Sequence, residues 1–333
     1  MTCRRQLILL AATSALTFLS LHIQGAVTGT IDMQAPPAPA GFESRQAVMA
    51  AILKQELKLI ETEFPTPSGI KETKNIEYGR VGDRALRLDL YQPEKPDSGK
   101  PGLIFIHGGA WSGGSREVYK YYAVHFAKKG YTAATISYRL SGESPFPAAV
   151  HDAKGAVRWM RAKASDYGFR ADNIVAVGGS AGGHLSLMLG YTPADSDLEG
   201  QSGFPTESSA VQAVINFYGP VDLTTKMGQE SGSVRQFLGG KTFQDHPDLY
   251  RQASPLFHLG SGAPPTLIIH GTLDETVKIG QGDALSKKLA QLSVPYAYAR
   301  LEGWPHTLDA AQKVNQYCTS LMDTFLTKTF PSR

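Results

Sequence analysis

Apolar positions recur along this chain in two different rhythms. Between residues 86 and 91, Leu86, Leu88 and Leu90 alternate with Arg87 and Asp89, the period-two pattern of a strand with one wet face. A shorter strand-like stretch at 75–78 precedes it and Gly82-Asp83 supplies a turn, so the pair predicts an antiparallel hairpin. Then the rhythm changes. Residues 103–107 (LIFIH), 132–138, 174–177 (IVAV), 213–218 and 266–270 (TLIIH) are short, nearly unbroken apolar runs. Helical spacing fills stretches between them, at 117–129, 148–164 and 181–189, and a strand at 296–301 and a helix at 308–327 close the pattern. Buried strands alternating with helices predict an α/β fold with a mostly parallel sheet covered on both faces. The polar stretches 191–209 and 224–254 are the expected rim over a site.

The N-terminal part has neither rhythm. Arg4 and Arg5 precede an uncharged apolar run from Leu7 to Leu21, which predicts a secretory signal peptide over 1–25 and a secreted or periplasmic protein without stable membrane insertion after cleavage. Ala35-Pro36-Pro37-Ala38-Pro39-Ala40 has the composition of a stiff linker. An amphipathic helix is expected at 43–61, with Val48, Ile52, Leu53, Leu57 and Ile60 on one face. The expected organisation is therefore a leader (1–25), a linker and N-terminal helix that is a candidate lid (26–73), and one α/β domain (74–333).

Composition narrows the function. With 333 residues, 42% hydrophobic and 19% charged, the chain can bury a large core without metal or disulfide staples. A net charge of +3 gives no basic stripe, so nucleic acid is not an expected partner. Of the two cysteines, Cys3 falls in the leader, and Cys318 sits in an apolar helical pattern that predicts a buried, inert thiol.

The chemistry-bearing residues cluster at the ends of the predicted strands. Gly178-Gly179-Ser180-Ala181-Gly182 contains G-x-S-x-G directly after the IVAV strand and before a helix, the context that raises a serine hydroxyl on a sharp turn. His107-Gly108-Gly109-Ala110-Trp111 comes directly after the LIFIH strand, where glycines let backbone N–H groups face a developing oxyanion; Gly108, Gly109 and Ala181 are the candidate donors. His306, five residues after the last strand, is the candidate base. Asp274, four residues after the TLIIH strand, is the candidate acid, and Asp222 is its rival, with a turn or cap as its alternative role. The order Ser180, Asp274, His306 favours Asp274. A buried ion pair between Arg139 and the Asp152 region is expected to be structural. Trp111 and Trp304 flank the site loops and are candidates for a substrate platform, with simple loop burial as the alternative.

Together, residues 107–111, 178–185 (GGSAGGHL), 254–256 (SPL), 265–277 (PTLIIHGTLDETV) and His306 resemble the esterase branch of the α/β-hydrolases, including acetylxylan/feruloyl esterase-like proteins and relatives of hormone-sensitive lipase. The resemblance spans about residues 75–326. It implies Ser180 as nucleophile, His306 as base, Asp274 as acid, and Gly108, Gly109 and Ala181 as oxyanion donors, with no cofactor or metal. One departure stands out: Trp304-Pro305 precede the histidine where the family usually has glycine. The expected substrate is a small-molecule or polysaccharide-linked ester with a short acyl group, acetyl and feruloyl esters of plant polysaccharide among them. An amide hydrolase (arylformamidase or peptidase) and a lipid esterase would use the same triad, and the sequence leaves both open.

Overall fold

The computed structural model describes residues 29–192 and 197–331, so the expected leader lies outside the described residues. Eight strands form one sheet: β1 (Ile70–Val81), β2 (Arg84–Pro93), β3 (Pro101–Ile106), β4 (Ala133–Ile136), β5 (Arg170–Gly179), β6 (Ala213–Phe217), β7 (Thr266–Gly271) and β8 (Tyr296–Leu301). Their spatial order is β1-β2-β4-β3-β5-β6-β7-β8. The hairpin β1–β2 and the β2–β4 pair are antiparallel, and every later pair is parallel. The expected α/β-hydrolase architecture is therefore present. The hairpin strands run longer than their apolar cores suggested, because exposed polar residues such as Lys71 and Arg80 continue the ladder.

β3, β4, β6 and β7 are buried along their whole length, and β5 from Ile174 onward, which is why these stretches read as unbroken apolar runs. On one face of the sheet pack α3 (Ala148–Ala162) and the helices Ala181–Tyr191 and Gly280–Gln291, around Ile104, Ala176 and Ile268. On the other lie α2 (Lys120–Ala127) and the helix Gln312–Thr329, around Phe105, Val177 and Ile269. Cys318 is fully buried in that second layer, and burial pushes its thiol well above the ordinary range. Arg139 and Asp152 form the expected ion pair, with Arg139 Nη2 donating to Asp152 Oδ1 at 2.7 Å and the backbone N–H of Arg139 to Oδ2 at 2.8 Å. Among the described residues no helix is long and apolar enough to cross a membrane.

The N-terminal helix is shorter than its periodicity predicts. α1 spans Arg45–Leu53, with Ser44 Oγ accepting from the Ala47 N–H as its cap. Gln55 then adopts φ +59°, and the N–H groups of Glu56 and Leu57 both turn back to the Ala51 carbonyl. Leu57 is buried by this turn. The next residues are extended: Leu59 bridges Ala311, Ile60 N–H donates to Ala310 O at 2.9 Å, and Gln312 N–H to Lys58 O at 2.8 Å. The apolar residues expected to continue a helical face instead find partners by pairing with a neighbouring segment.

The proline-containing stretch before α1 also packs on the domain. Phe42 N–H donates to Gly303 O at 2.9 Å, Lys313 Nζ to Ala40 O at 3.0 Å, and Gly41 approaches Glu302 O so closely that a Cβ there would overlap it.

Candidate active site

The buried run Ile174–Val177 delivers the chain to Gly178 and Gly179, and the helix Ala181–Tyr191 starts directly after Ser180. Such a short turn forces Ser180 to φ +56°, ψ −123°, a costly backbone conformation for a residue with a Cβ. Hydrogen bonds hold it there: Ser180 N–H donates to Phe217 O, and His184 N–H donates to Ser180 O, both at 2.9 Å. A Cβ on Gly182 would overlap the Ile106 carbonyl, so the turn can sit against β3 only with glycine at that position.

β3 ends beside this turn. A Cβ on Gly108 would lie 2.8 Å from Gly179 O and 3.2 Å from Ser180 Cβ, so glycine there lets the two strand ends close on each other. Gly109, Ala110 and Trp111 all have positive φ, at +109°, +54° and +57°. The backbone N–H groups of Gly109 and Ala181 donate to no protein acceptor among the described residues. His107 is buried and anchors the turn, with Nδ1 bonded to Gly108 O at 2.7 Å and its ring stacked on Tyr138 at 4.4 Å. Burial lowers its pKa, which keeps the ring neutral.

The candidate base and acid arrive on two stitched loops. Thr272 N–H donates to Leu301 O at 3.0 Å and Leu273 N–H to Trp304 O at 2.9 Å, tying the loop after β7 to the loop after β8. His306 Nε2 then lies 3.0 Å from Ser180 Oγ, and His306 Nδ1 lies 2.6 Å from Asp274 Oδ2. The Trp304-Pro305 departure thus does not keep the imidazole from reaching the serine. Asp274 is buried, and its Oδ1 accepts from the Thr276 and Val277 N–H groups at 2.9 and 2.8 Å. Burial alone would raise this carboxyl, but hydrogen bonds from His270 and His306, the His306 charge and the Val277 N–H outweigh it and bring the pKa down to about 2.

Asp222 is placed elsewhere. Its Oδ1 accepts from the Thr224 N–H at 2.9 Å and the Thr224 hydroxyl at 2.6 Å, closing a turn. Asp222→Ala is therefore expected to leave kcat for a simple ester within about threefold of the parent, a surface-turn effect. A thousandfold loss in steady-state kinetics would return Asp222 to the acid's role.

Both tryptophans depart from the expected platform. Trp111 is 4% exposed, stacks on Phe237 at 4.4 Å, and its Nε1–H donates to His184 Nδ1 at 3.2 Å. His184 is also fully buried, with Nε2 bonded to Ala253 O at 2.7 Å, and burial drops its pKa to about 4. Trp304 is 1% exposed, its Nε1–H donates to Pro39 O at 3.0 Å, and Phe42 meets its ring edge-on at 5.5 Å. Positive φ at Trp111 swings that indole inward, and residues 39–42 cover the other. Both indoles are almost wholly buried, so neither forms an exposed platform beside the site.

Several further residues at the site were not singled out by the sequence, although His270 and Tyr218 end two of the apolar runs. His270, fully buried at the end of β7, lies 3.3 Å from Asp274 Oδ2 and bonds Val277 O at 2.8 Å, buttressing the acid loop. Its position four residues before Asp274 was the available clue. Tyr218 places its ring 4.7 Å from that of His306 and donates its hydroxyl to Asp309 Oδ1, while Tyr122 donates to Asp309 Oδ2 at 3.0 Å. Burial raises the Asp309 carboxyl, against the pull of both phenols. A cavity of about 690 Å³ opens at Ser180, walled by Gly108, Gly109, Val118, Tyr119, Tyr218 and, from the N-terminal segment, Leu59 and Ile60. Its surface is mainly apolar, and Ser180, His306 and the turn at Gly108 and Gly109 supply convergent polar groups.

Known proteins resemble this chain in sequence and fold. A probable carboxylic ester hydrolase of Mycobacterium tuberculosis, LipM, is 33% identical over 243 residues, which are 71% of this chain and 56% of that protein. The chain thus spans little more than half the length of this curated relative. A truncated carbohydrate esterase from gut microbiota superposes with a TM-score of 0.66 at 26% identity, covering 78% of this chain and 96% of that one. Thermogutta terrifontis esterase 2 phosphorylated by paraoxon superposes with a TM-score of 0.65 at 28% identity, over 78% and 94% of the two chains. The BD-FAE family model matches residues 88–289, from β2 into the helix Gly280–Gln291. A match over more than half of the chain, on a sheet of this order, makes it a member of the BD-FAE family with the α/β-hydrolase fold.

Proposed function

We propose that this chain is a serine carboxylesterase acting on short-chain acyl esters. The observation that carries the reading is the unbroken hydrogen-bond relay from Ser180 Oγ through His306 to Asp274, at 3.0 and 2.6 Å, beside unpaired backbone donors. In the proposed reaction His306 Nε2 takes the Ser180 proton as Oγ bonds the ester carbonyl carbon. Negative charge then develops on the carbonyl oxygen, where the Gly108, Gly109 and Ala181 N–H groups meet it. The C–O bond to the alcohol breaks, His306 returns the proton to the departing oxygen, and water releases the acyl group by the same steps in reverse roles. Asp274, whose pKa is brought down to about 2 and which is therefore ionised at neutral pH, holds the imidazole by Nδ1 and stabilises its positive charge.

The cavity at Ser180 is mainly apolar, and the short acyl preference is supported by the likeness to Thermogutta terrifontis esterase 2, solved with propionate and with butyrate bound. Acetyl or feruloyl esters of plant polysaccharide are a second substrate reading, favoured by the likeness to a carbohydrate esterase. Export rests on the basic, then apolar, residues 4–21.

Paraoxon provides the test, since a structural neighbour is phosphorylated by it. Incubation is expected to abolish p-nitrophenyl acetate hydrolysis and leave one diethylphosphoryl group on the peptide containing Ser180. Full activity after exposure, or an adduct elsewhere, would refute the reading. A preference for octanoyl over acetyl esters in the unlabelled enzyme would refute its short-chain part.

A further inference from the structure

A second cavity of about 350 Å³ adjoins the first. It lies between α1 and the loop after β8, floored by Leu273 and Trp304 and walled by Val48, Met49, Ile52 and Leu57. The two cavities share Leu59, Thr276, His306, Thr307 and Ala310, but Ser180 and the oxyanion glycines line only the larger one. That difference has a chemical meaning once ester hydrolysis is taken as the reaction. The acyl carbon bonds Ser180 and its oxygen faces Gly108 and Gly109, so the acyl group occupies the larger cavity. The departing oxygen takes its proton from His306, so the alcohol portion leaves along the imidazole.

We propose that the smaller cavity is the subsite for the alcohol portion of the ester, and that it takes an apolar alkyl or aryl alcohol. This rests on the serine-esterase reading and chooses between its substrate classes. The lining is mainly aliphatic, with the Trp304 indole, whose N–H is already committed to Pro39 O; Thr276 and Thr307 add hydroxyls, and Arg45 and Glu275 are paired with each other. A sugar placed against the aliphatic walls would lose water from most of its hydroxyls and meet few hydrogen-bond partners in exchange. The walls are also held in place. Arg45 of α1 pairs with Glu275, next to the acid, at 3.0 Å, and the Leu59–Ala311 bridge ties the dividing residue Leu59 to the segment just after His306. Residues 45–60 thus belong to the site although they lie outside the family match.

Alkyl acetates of similar leaving-group acidity test the subsite. Each methylene buried against an apolar wall contributes roughly fourfold in binding. For wild type, kcat/KM for 3-methylbutyl acetate is therefore expected to exceed that for ethyl acetate at least tenfold, and acetylated xylan to be a poorer substrate than either. Met49→Trp, at a half-exposed position on the cavity wall, and independently Ile52→Trp, should fill the space and lower that ratio at least fivefold. The ratio of ethyl hexanoate to ethyl acetate should move less than twofold in the same variants. A wild-type alcohol ratio near one, a variant that shifts the acyl ratio instead, or a preference for acetylated xylan overturns the assignment. The wild-type ratio decides even if neither variant folds. Failure of every acetate would instead strike the serine-esterase reading itself.

Discussion

Ser180→Ala is expected to lower kcat for p-nitrophenyl acetate by about 10⁴-fold or more, while leaving the fold intact. The substitution removes a single oxygen, and alanine keeps the Cβ that already occupies φ +56°, so the turn carries no new strain. The cost falls on chemistry. Without Oγ no acyl-enzyme forms, and His306 can only activate water from a position arranged for a serine hydroxyl 3.0 Å away. Triad residues act as a unit, so losing the nucleophile costs about as much as losing the whole relay. What remains, roughly 10³–10⁴ over water in comparable systems, comes from the oxyanion donors and substrate binding. Initial rates with the purified variant, with circular dichroism as the control for folding, make the measurement. A loss below tenfold would remove Ser180 from the nucleophile's role.

Much of this site was legible in the chain because each part sits at the end of a buried strand. Burial of β3, β5 and β7 on both faces makes them apolar runs, and the carboxyl end of each run opens directly into a loop or turn at one edge of the sheet. Glycine at 108 and 182 then marks where backbone must approach backbone. The parts that were not legible depend on contacts distant in sequence. Leu57 and Ile60 have the spacing of a helical face, yet Ala310 and Ala311 offer an extended partner, and the chain leaves α1 at Leu53 to reach it. Trp111 and Trp304 flank the site loops, but Phe237 and the Pro39–Phe42 stretch bury them. Asp309 lies three residues past His306 in what reads as the opening of a helix; only the fold brings Tyr122 and Tyr218 to it.

Asp274→Asn is expected to cut kcat by about 10³–10⁴-fold with little change in volume, through the proton on the imidazole. In the parent, Asp274 Oδ2 accepts from His306 Nδ1–H, which leaves Nε2 free to accept the Ser180 proton. An asparagine there keeps its carbonyl oxygen on the Thr276 and Val277 N–H groups, which donate to Oδ1 in the parent. Its amide then points N–H at Nδ1. The ring answers by moving its proton to Nε2, where it blocks the transfer that starts the reaction. The variant should also carry a signature in stability. A carboxyl lowered from 3.8 to about 2 binds its proton less readily folded than unfolded, so ionisation stabilises the native state at neutral pH. That contribution, on the order of 2 kcal/mol, is present above the unfolded value near 4 and is lost as pH falls through about 2. Urea unfolding at pH 7 should find the variant less stable, and the gap between the two proteins should narrow as pH is lowered from 4 towards 2. Activity above a tenth of the parent's, or a stability gap that widens in acid, would take Asp274 out of the relay.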